Sequence, residues 1–340
     1  MKLGKMSSIE QYRNVVKHLI NSSQFMGMSD EGEPIYDKLE PKPVVEFTGT
    51  IKLHGTNASV GYDHIGNIWA QSKSNIITPL NDNHGFAQFV HKKEEMFHDI
   101  LKAITLGENQ VVYLYGEWAG IGIQRGVAVS ELEKSFYAFA LKMQTLDENN
   151  EVLRTSYLPV DFKNDIENRI FNIYNFPTFK ASVDCSEPHV AQNMLVALVA
   201  EIEKECPVAK ELGVSGIGEG LVFVGDYKEN RYTFKVKGEK HAGKSKIKKL
   251  NKVDDAKINL VNETVNKVLP TWRLDQFFNE VVGEDTDRKK LGDYIRAVLS
   301  DVVKEEIDVL SDAGLTVKDI GKTVSDQARN YFFEREKMSQ

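Results

Sequence analysis

Two cysteines in 340 residues, Cys185 and Cys206, are too few for a disulfide framework or a cysteine-built zinc site, and they fit a reducing compartment. No apolar run approaches the roughly 20 residues needed to span a bilayer. The opening Met1-Lys2-Leu3-Gly4-Lys5-Met6-Ser7-Ser8 also lacks the apolar stretch of a secretory signal. No membrane partner is therefore expected, and the expected location is cytoplasmic (the host cytoplasm, if a phage encodes the chain). Internal repeats and low-complexity tracts are missing as well. A net charge of −7 excludes indiscriminate coating of nucleic acid but leaves room for a local basic groove. What is present, 41% hydrophobic and 27% charged residues, is an ordinary globular composition long enough for two domains.

The pattern along the chain predicts an α+β first part and an all-helical second part. Ile9 to Ile20 has helical character and leads into a polar, glycine-containing stretch to about residue 42. Strand-like alternation dominates from Val44 to Ala70, and Ser72 to Glu95 reads as loop then helix. Residues 111–118 and 135–142 read as core strands, Gln192 to Lys204 as a helix, and 219–225 and 231–237 as strands. From about residue 245 the period changes. Ile258, Val261, Val265 and Val268 share one helical stripe, and Leu291, Ile295, Val298, Leu299 and Val302 another, with Pro270 and Gly283 as punctuation. Thr316 to Asp319 has the form of a capping box before a last helix. The expected domains are 1–243 and 244–340.

The chemistry concentrates in a few short segments. Lys52-Leu53-His54-Gly55-Thr56-Asn57 ends a strand-like run with a lysine beside a turn glycine, the arrangement of a positioned nucleophile. A lysine amine attacks only when neutral, which roughly one copy in a few thousand is at pH 7. Burial and nearby cations favour the neutral form. Farther on, Lys235 and Lys237 fall on one face of a strand whose other face carries Phe234 and Val236, and an anion such as a nucleotide phosphate would relieve their repulsion. Glu117 in Gly116-Glu117-Trp118 and Glu219 in Glu219-Gly220-Leu221-Val222 stand at strand edges, where a carboxylate suits a ribose hydroxyl or a hard cation. Taken singly, each of these residues has an ordinary explanation: a surface lysine at a turn, a solvated strand face, a surface carboxylate, a core phenylalanine at 139, a structural histidine at 54.

Their joint order, Lys-x-His-Gly, Gly-Glu, Phe136-Tyr137-Ala138-Phe139, Glu-Gly-x-Val and Lys-x-Lys-Gly, resembles the covalent nucleotidyltransferase superfamily of polynucleotide ligases and mRNA capping enzymes. His54 is similar to the histidine of the RNA ligase 2 family, including phage RNA ligase 2 and the kinetoplastid RNA-editing ligases. The likeness spans roughly residues 44 to 241. It implies an adenylation domain of antiparallel sheets with flanking helices, followed by a helical domain. It further implies three steps: ATP adenylates Lys52, AMP moves to an RNA 5′-phosphate, and a 3′-hydroxyl displaces AMP. On that resemblance Lys235 and Lys237 would hold the α-phosphate, Glu117 the ribose, and Glu219 a magnesium (or manganese) ion with its waters. Phe139 and Val222 would sandwich adenine, and His54 and Asn57 would serve the phosphate or the RNA end. Lys73 would replace a family arginine, keeping the charge without the bidentate fork.

Three positions depart from the family pattern: Lys73, Ala140 where relatives carry an acidic residue, and Val224 where many carry a lysine. The expected partner is RNA with 3′-hydroxyl and 5′-phosphate ends at a nick in a duplex, bound by a monomer. Two other readings compete. A GTP-using capping-type enzyme would share the covalent chemistry, but His54 and the tail, which lacks the short-strand spacing of an OB barrel, speak against it. A non-catalytic RNA-binding relative would have little use for Lys52 with both motif lysines. The basic run Lys235, Lys237, Lys240, His241, Lys244, Lys246, Lys248, Lys249 and Lys252 is as consistent with a solvated linker as with a phosphate-binding flank.

Overall fold

The computed structural model describes residues 1–29, 32–238, 240–241, 255–283 and 286–338. Contacts divide the chain into two units, Met1–Leu250 and Asn251–Gln340. The boundary expected at 243/244 lies outside the described residues, as do Lys244, Lys246, Lys248, Lys249 and Lys252 of the basic run.

The first unit opens with β1 (Glu10–Gln11), α1 (Tyr12–Gln24), β2 (Phe25–Met28), β3 (Pro34–Tyr36), β4 (Val44–Lys52), β5 (Thr56–Asp63), β6 (Ile68–Ser72) and β7 (Ile76–Ile77). It continues with α2 (Phe86–Lys92), α3 (Glu94–Leu101), β8 (Gln110–Ala119), β9 (Ser135–Leu146), β10 (Val152–Leu158), β11 (Ile170–Asn172) and β12 (Phe179–Asp184). It closes with α4 (Pro188–Lys204), α5 (Pro207–Glu211), β13 (Gly220–Tyr227) and β14 (Asn230–Lys237).

These strands make two larger sheets and a small ribbon. One sheet has the order β1-β14-β13-β4-β12, the other β10-β9-β8-β5-β6-β7 with β11 beside β9, and β2 pairs β3 alone. The pairing is antiparallel as expected except that β1 runs parallel to β14 and β11 parallel to β9. The helix expected from Ile9 begins at Tyr12 instead, because Glu10 and Gln11 are extended against Phe234 and Lys235.

Alternation places one face of each sheet on an apolar core. Phe47, Phe223 and Phe234 of the first sheet meet Leu19 of α1 and Leu195 of α4. Val60, Leu114 and Phe136 of the second meet Phe86 and Phe97 from α2 and α3.

The second unit is helical: α6 (Asp255–Val268), α7 (Thr271–Phe277), α8 (Leu291–Glu305), α9 (Ile307–Asp312) and α10 (Val317–Met338). Val265, Tyr294, Val298, Ile320 and Phe332 form its core. At the start of α10, Asp319 Oδ2 accepts the Thr316 backbone N–H at 2.9 Å, one arm of the expected box. The Thr316 hydroxyl donates to the same oxygen at 2.6 Å rather than receiving the N–H of residue 319. Among the described residues no helix is long and apolar enough to cross a membrane.

Candidate active site

β13 lies between β4 and β14, and the register sets Gly220 opposite Lys52 on one side and opposite Lys237 on the other. The residue just before it, Glu219, therefore enters between the two lysines. Its Oε2 lies 2.6 Å from Lys52 Nζ and its Oε1 2.6 Å from Lys237 Nζ, with His54 Nδ1 3.3 Å from Oε2. Gly220 makes the entry possible. Its φ is +150°, and a Cβ there would stand 2.1 Å from the Val236 carbonyl oxygen, so only glycine fits. Lys52 and Lys237 thus share a protein carboxylate.

The charges shape one another. Burial alone would raise the Glu219 pKa, but Lys52 and Lys237 together outweigh it and hold the carboxyl below its ordinary value. Lys235 faces the same side of β14; burial first, then Lys237 and Lys52, lower its ammonium pKa against the opposing pull of Glu219 and Glu10. His54 is lowered chiefly by burial, with Lys52, His241 and Lys237 adding to the effect and Glu219 opposing it.

The loop from Lys52 to Thr56 crosses from the first sheet to the second, and Glu117 fastens it: the Gly55 N–H donates to Glu117 Oε1 at 2.9 Å. A Cβ at residue 55 would lie 2.3 Å from the Trp118 carbonyl oxygen, which explains the glycine of the Lys-x-His-Gly motif. Burial raises the Glu117 pKa to about 7, with Glu219 adding to the rise and Lys52 and the Gly55 N–H opposing it. An acid raised in the fold is stabilising below its unfolded value and loses that advantage as pH climbs through its folded value. Glu117→Gln is therefore expected to melt higher than the parent at pH 8, by about 1–3 kcal/mol of stability, with the difference closing near pH 5. Thermal denaturation at the two pH values checks this, and a gap of equal size at both would refute the assignment.

Between the sheets lies a cavity of about 430 Å³. β4, β13 and β14 line it with Thr50, Lys52, Val222, Val224, Arg231, Thr233, Lys235 and Lys237, and the second sheet adds Asn57, Glu117, Tyr137, Phe139 and Ala140. A β-bulge in β9 brings Ala140 to the cavity wall beside Tyr137 and Phe139. Tyr115 pairs with Ala140 and Gly116 with Ala138, so Phe139 is the extra residue on β9 and breaks the alternation. The Tyr174 hydroxyl donates to its carbonyl at 3.1 Å, fixing the bulge.

Residues 45–237 match the profile of the RNA ligase family, more than half of the chain. The chain belongs to that family. No curated protein sequence matches it. Among solved structures it is similar to a Naegleria gruberi RNA ligase with PPi, at 15% identity and a TM-score of 0.40, covering 71% of this chain and 58% of that one. A lysine-to-methionine mutant of that ligase with AMP and Mn gives 17% identity and a TM-score of 0.41, covering 71% and 58%. A lysine-to-alanine mutant with ATP and Mn gives 16% and 0.40, covering 70% and 57%. The chain thus spans less than two thirds of the length of those structures.

Of the residues singled out in this family member's sequence, Lys52, Asn57, Lys73, Glu117, Phe139, Val222, Lys235 and Lys237 line the one cavity. His54 and Glu219 stand outside that lining, His54 against Glu219 and 6.0 Å ring to ring from His241. Glu219, expected to hold a metal ion, has both oxygens on lysine ammonium groups, and among the described residues no three His, Cys, Asp or Glu side chains gather as a metal cage.

The sequence reading missed Arg231 and Thr233, although alternation along β14 puts them on the face of Lys235 and Lys237. Arg231 pairs with Asp226 and stacks on Tyr157, 4.2 Å from its ring centre. It also missed Met6, Ser7, Ser8 and Ile9, which line the cavity from the N-terminal segment. That segment is held by distant groups, Gln71 on the Gly4 N–H, Trp69 and Tyr113 on the Lys2 carbonyl, and buried Lys142 on the Lys5 carbonyl, none of which leaves a local pattern.

Proposed function

We propose that this chain is an ATP-dependent RNA ligase that joins 3′-hydroxyl and 5′-phosphate ends, at nicks in duplex RNA, through lysyl-AMP and RNA-adenylate intermediates. The observation that carries the reading is the position of Lys52: a lysine on the wall of a cavity whose other lining includes Lys73, Lys235 and Lys237, a carboxylate and an aromatic ring.

In the first step the Lys52 amine forms a bond to the α-phosphorus of ATP, the bond to the β-phosphate oxygen breaks, and pyrophosphate departs. Lys235 and Lys237 neutralise the charge that develops on the phosphorus oxygens. Magnesium or manganese would be held mainly by phosphate oxygens and water, with Glu219 supplying a carboxylate oxygen only on leaving one of its two lysines, and it would screen the phosphate charge. Phe139 and Val222 enclose the base and Glu117 meets the ribose. AMP then passes to the RNA 5′-phosphate, and the 3′-hydroxyl displaces it. His54 and Asn57 serve the phosphate or the RNA end, and Lys73 adds a cation on the same wall.

A monomer acting on RNA in the cytoplasm accords with two buried, unpaired cysteines. Duplex RNA would be read by A-form shape and 2′-hydroxyls, so sealing would be independent of sequence.

The test is incubation with labelled ATP or GTP and magnesium, followed by a gel-based sealing assay on matched nicked-duplex and single-stranded RNA. The expected outcome is a label from ATP alone on denatured protein and faster joining at the nick. A GTP label would point to capping-type chemistry, and a preference for single strands would overturn the nick assignment.

A further inference from the structure

Lys142 is a buried cation without a carboxylate partner among the described residues. It is 4% exposed on β9, opposite Tyr113, with its ammonium 5.1 Å from the centre of the Tyr115 ring. Both tyrosines belong to an apolar cluster with Trp69, Ala140 and Leu146, and burial pushes the lysine's pKa down. A methionine or leucine would be less costly in such surroundings, so the charge calls for a use other than packing. Its ammonium donates to the Lys5 carbonyl.

Lys5 lies in an arm that runs from one sheet to the other. On the second sheet, Trp69 Nε1 and the Tyr113 hydroxyl donate to the Lys2 carbonyl at 3.2 and 3.3 Å, and the Gly4 N–H donates to Oε1 of buried Gln71 at 2.8 Å. Gly4 rests on two buried rings: a Cβ there would stand 2.6 Å from Tyr113 Cδ1 and from the Tyr115 hydroxyl oxygen. At the other end Glu10 and Gln11 pair with Phe234 and Lys235 of the first sheet. The stretch between these anchors, Met6 to Ile9, lines the cavity that Lys52 also lines. Lys142 is thus the last anchor before the cavity wall begins.

We propose that Lys142 is a positioning residue for the nucleotide, fixing Met6 to Ile9 so that ATP is captured between the arm and the two sheets. Lys142 itself is not part of the cavity lining. Its contribution is preorganisation: a loose arm would have to be ordered at the moment of binding, which lowers affinity, whereas a pinned arm is already in place. The effect falls on capture of ATP and not on the chemistry at Lys52, whose place at the end of β4 is set by its pairing with β13. The inference rests on ATP occupying this cavity, which is the binding part of the ligase reading.

Two variants of the full chain test the contact from its opposite sides. Lys142→Met keeps apolar packing and removes the hydrogen bond, while Gly4→Val leaves the sheet unchanged and drives the arm off the two rings. Both are expected to melt close to the parent, and Gly4→Val decides alone should the methionine variant unfold. Each should bind labelled ATP about 10-fold more weakly in equilibrium dialysis without magnesium, which keeps binding apart from chemistry. Trypsin should cut after Lys5 at least ~10-fold faster in each, because the arm opens more often. At saturating ATP with magnesium, adenylation should stay within ~2-fold of the parent, so that KM moves and kcat does not. The double variant should lose no more than either single one, since both act through one arm. Equal ATP affinity in parent and variants, unchanged cleavage after Lys5, losses that add in the double variant, or a fall in the saturated rate as large as the fall in affinity would overturn the inference. A parent that binds ATP but acquires no adduct would sink the ligase chemistry alone, because dialysis and cleavage decide the role of Lys142 without it. A parent that binds no ATP would overturn both.

Discussion

Lys52→Ala is expected to form no AMP adduct on incubation with ATP and magnesium and to lose sealing by roughly 10³-fold or more, since nothing else on the cavity wall can replace an amine at the end of β4. The fold should survive. Glu219 keeps its contact with Lys237 at 2.6 Å when Lys52 is gone, so the buried carboxylate is not left without a cation. Intact-mass measurement of the treated variant reads the adduct and thermal melting reads the fold. An adduct persisting in the alanine variant would place the nucleophile elsewhere. RNA already carrying a 5′-adenylate separates the steps, because its joining bypasses attack by Lys52. The variant should recover sealing on that substrate while remaining inactive on a 5′-phosphate.

Glu219→Gln carries the second large effect, and it combines stability with chemistry. Glutamine keeps the shape but removes the charge that two ammonium groups share, leaving Lys52 and Lys237 to repel across a site where Glu219 itself is 2% exposed. A loss of about 1–3 kcal/mol is expected for removing one member of such a charged hydrogen-bonded set. Because Lys52 is freed from its carboxylate partner and misplaced, adenylation should fall by roughly 10²-fold or more.

The pH dependence distinguishes this from a packing defect. Lys52 and Lys237 hold the folded carboxyl below its ordinary value of 4.5, so its contribution is present above that value and is lost as pH falls through the folded pKa. The melting gap between parent and variant should accordingly be full at pH 6–8 and close as the solution is acidified below about pH 4. A gap that stays constant down to low pH would mean that Glu219 acts by shape and not by charge.

Much of this was legible along the chain because it is local. Alternation in β4, β13 and β14 follows from the two-residue period of a strand, and it put Lys235 and Lys237 on one face and Phe234 on the other before any fold was known. The stripes of α6 and α8 follow in the same way from the helical period. Where a distant contact overrides the local pattern, sequence reasoning went astray or fell silent. Glu10 and Gln11 leave the helical pattern because β14, more than 200 residues later, offers them a strand edge.

Phe139 shows the division within one residue. The sequence identified it by its place in Phe136-Tyr137-Ala138-Phe139. Strict alternation sets it on the face of Tyr137, which also lines the cavity, and the bulge opposite Tyr115 and Gly116 then adds its neighbour Ala140 to the same wall. No residue type announces that extra step. It arises from how β8 and β9 pair over their whole length.

The sequence by itself determined which chemical groups this protein has and the order in which they come: a lysine before a turn glycine, two glutamates at strand edges, two lysines on one strand face. Tertiary structure alone decided that Glu219 lies between Lys52 and Lys237, that Arg231 and the N-terminal Met6 to Ile9 share the cavity, and that the ribbon at Phe25 to Tyr36 is left uncovered. The physical reason is that side-chain direction is set by the residue's own backbone period, while the partner that meets it is set by strand register and by loop closure across distances in sequence that no local pattern encodes.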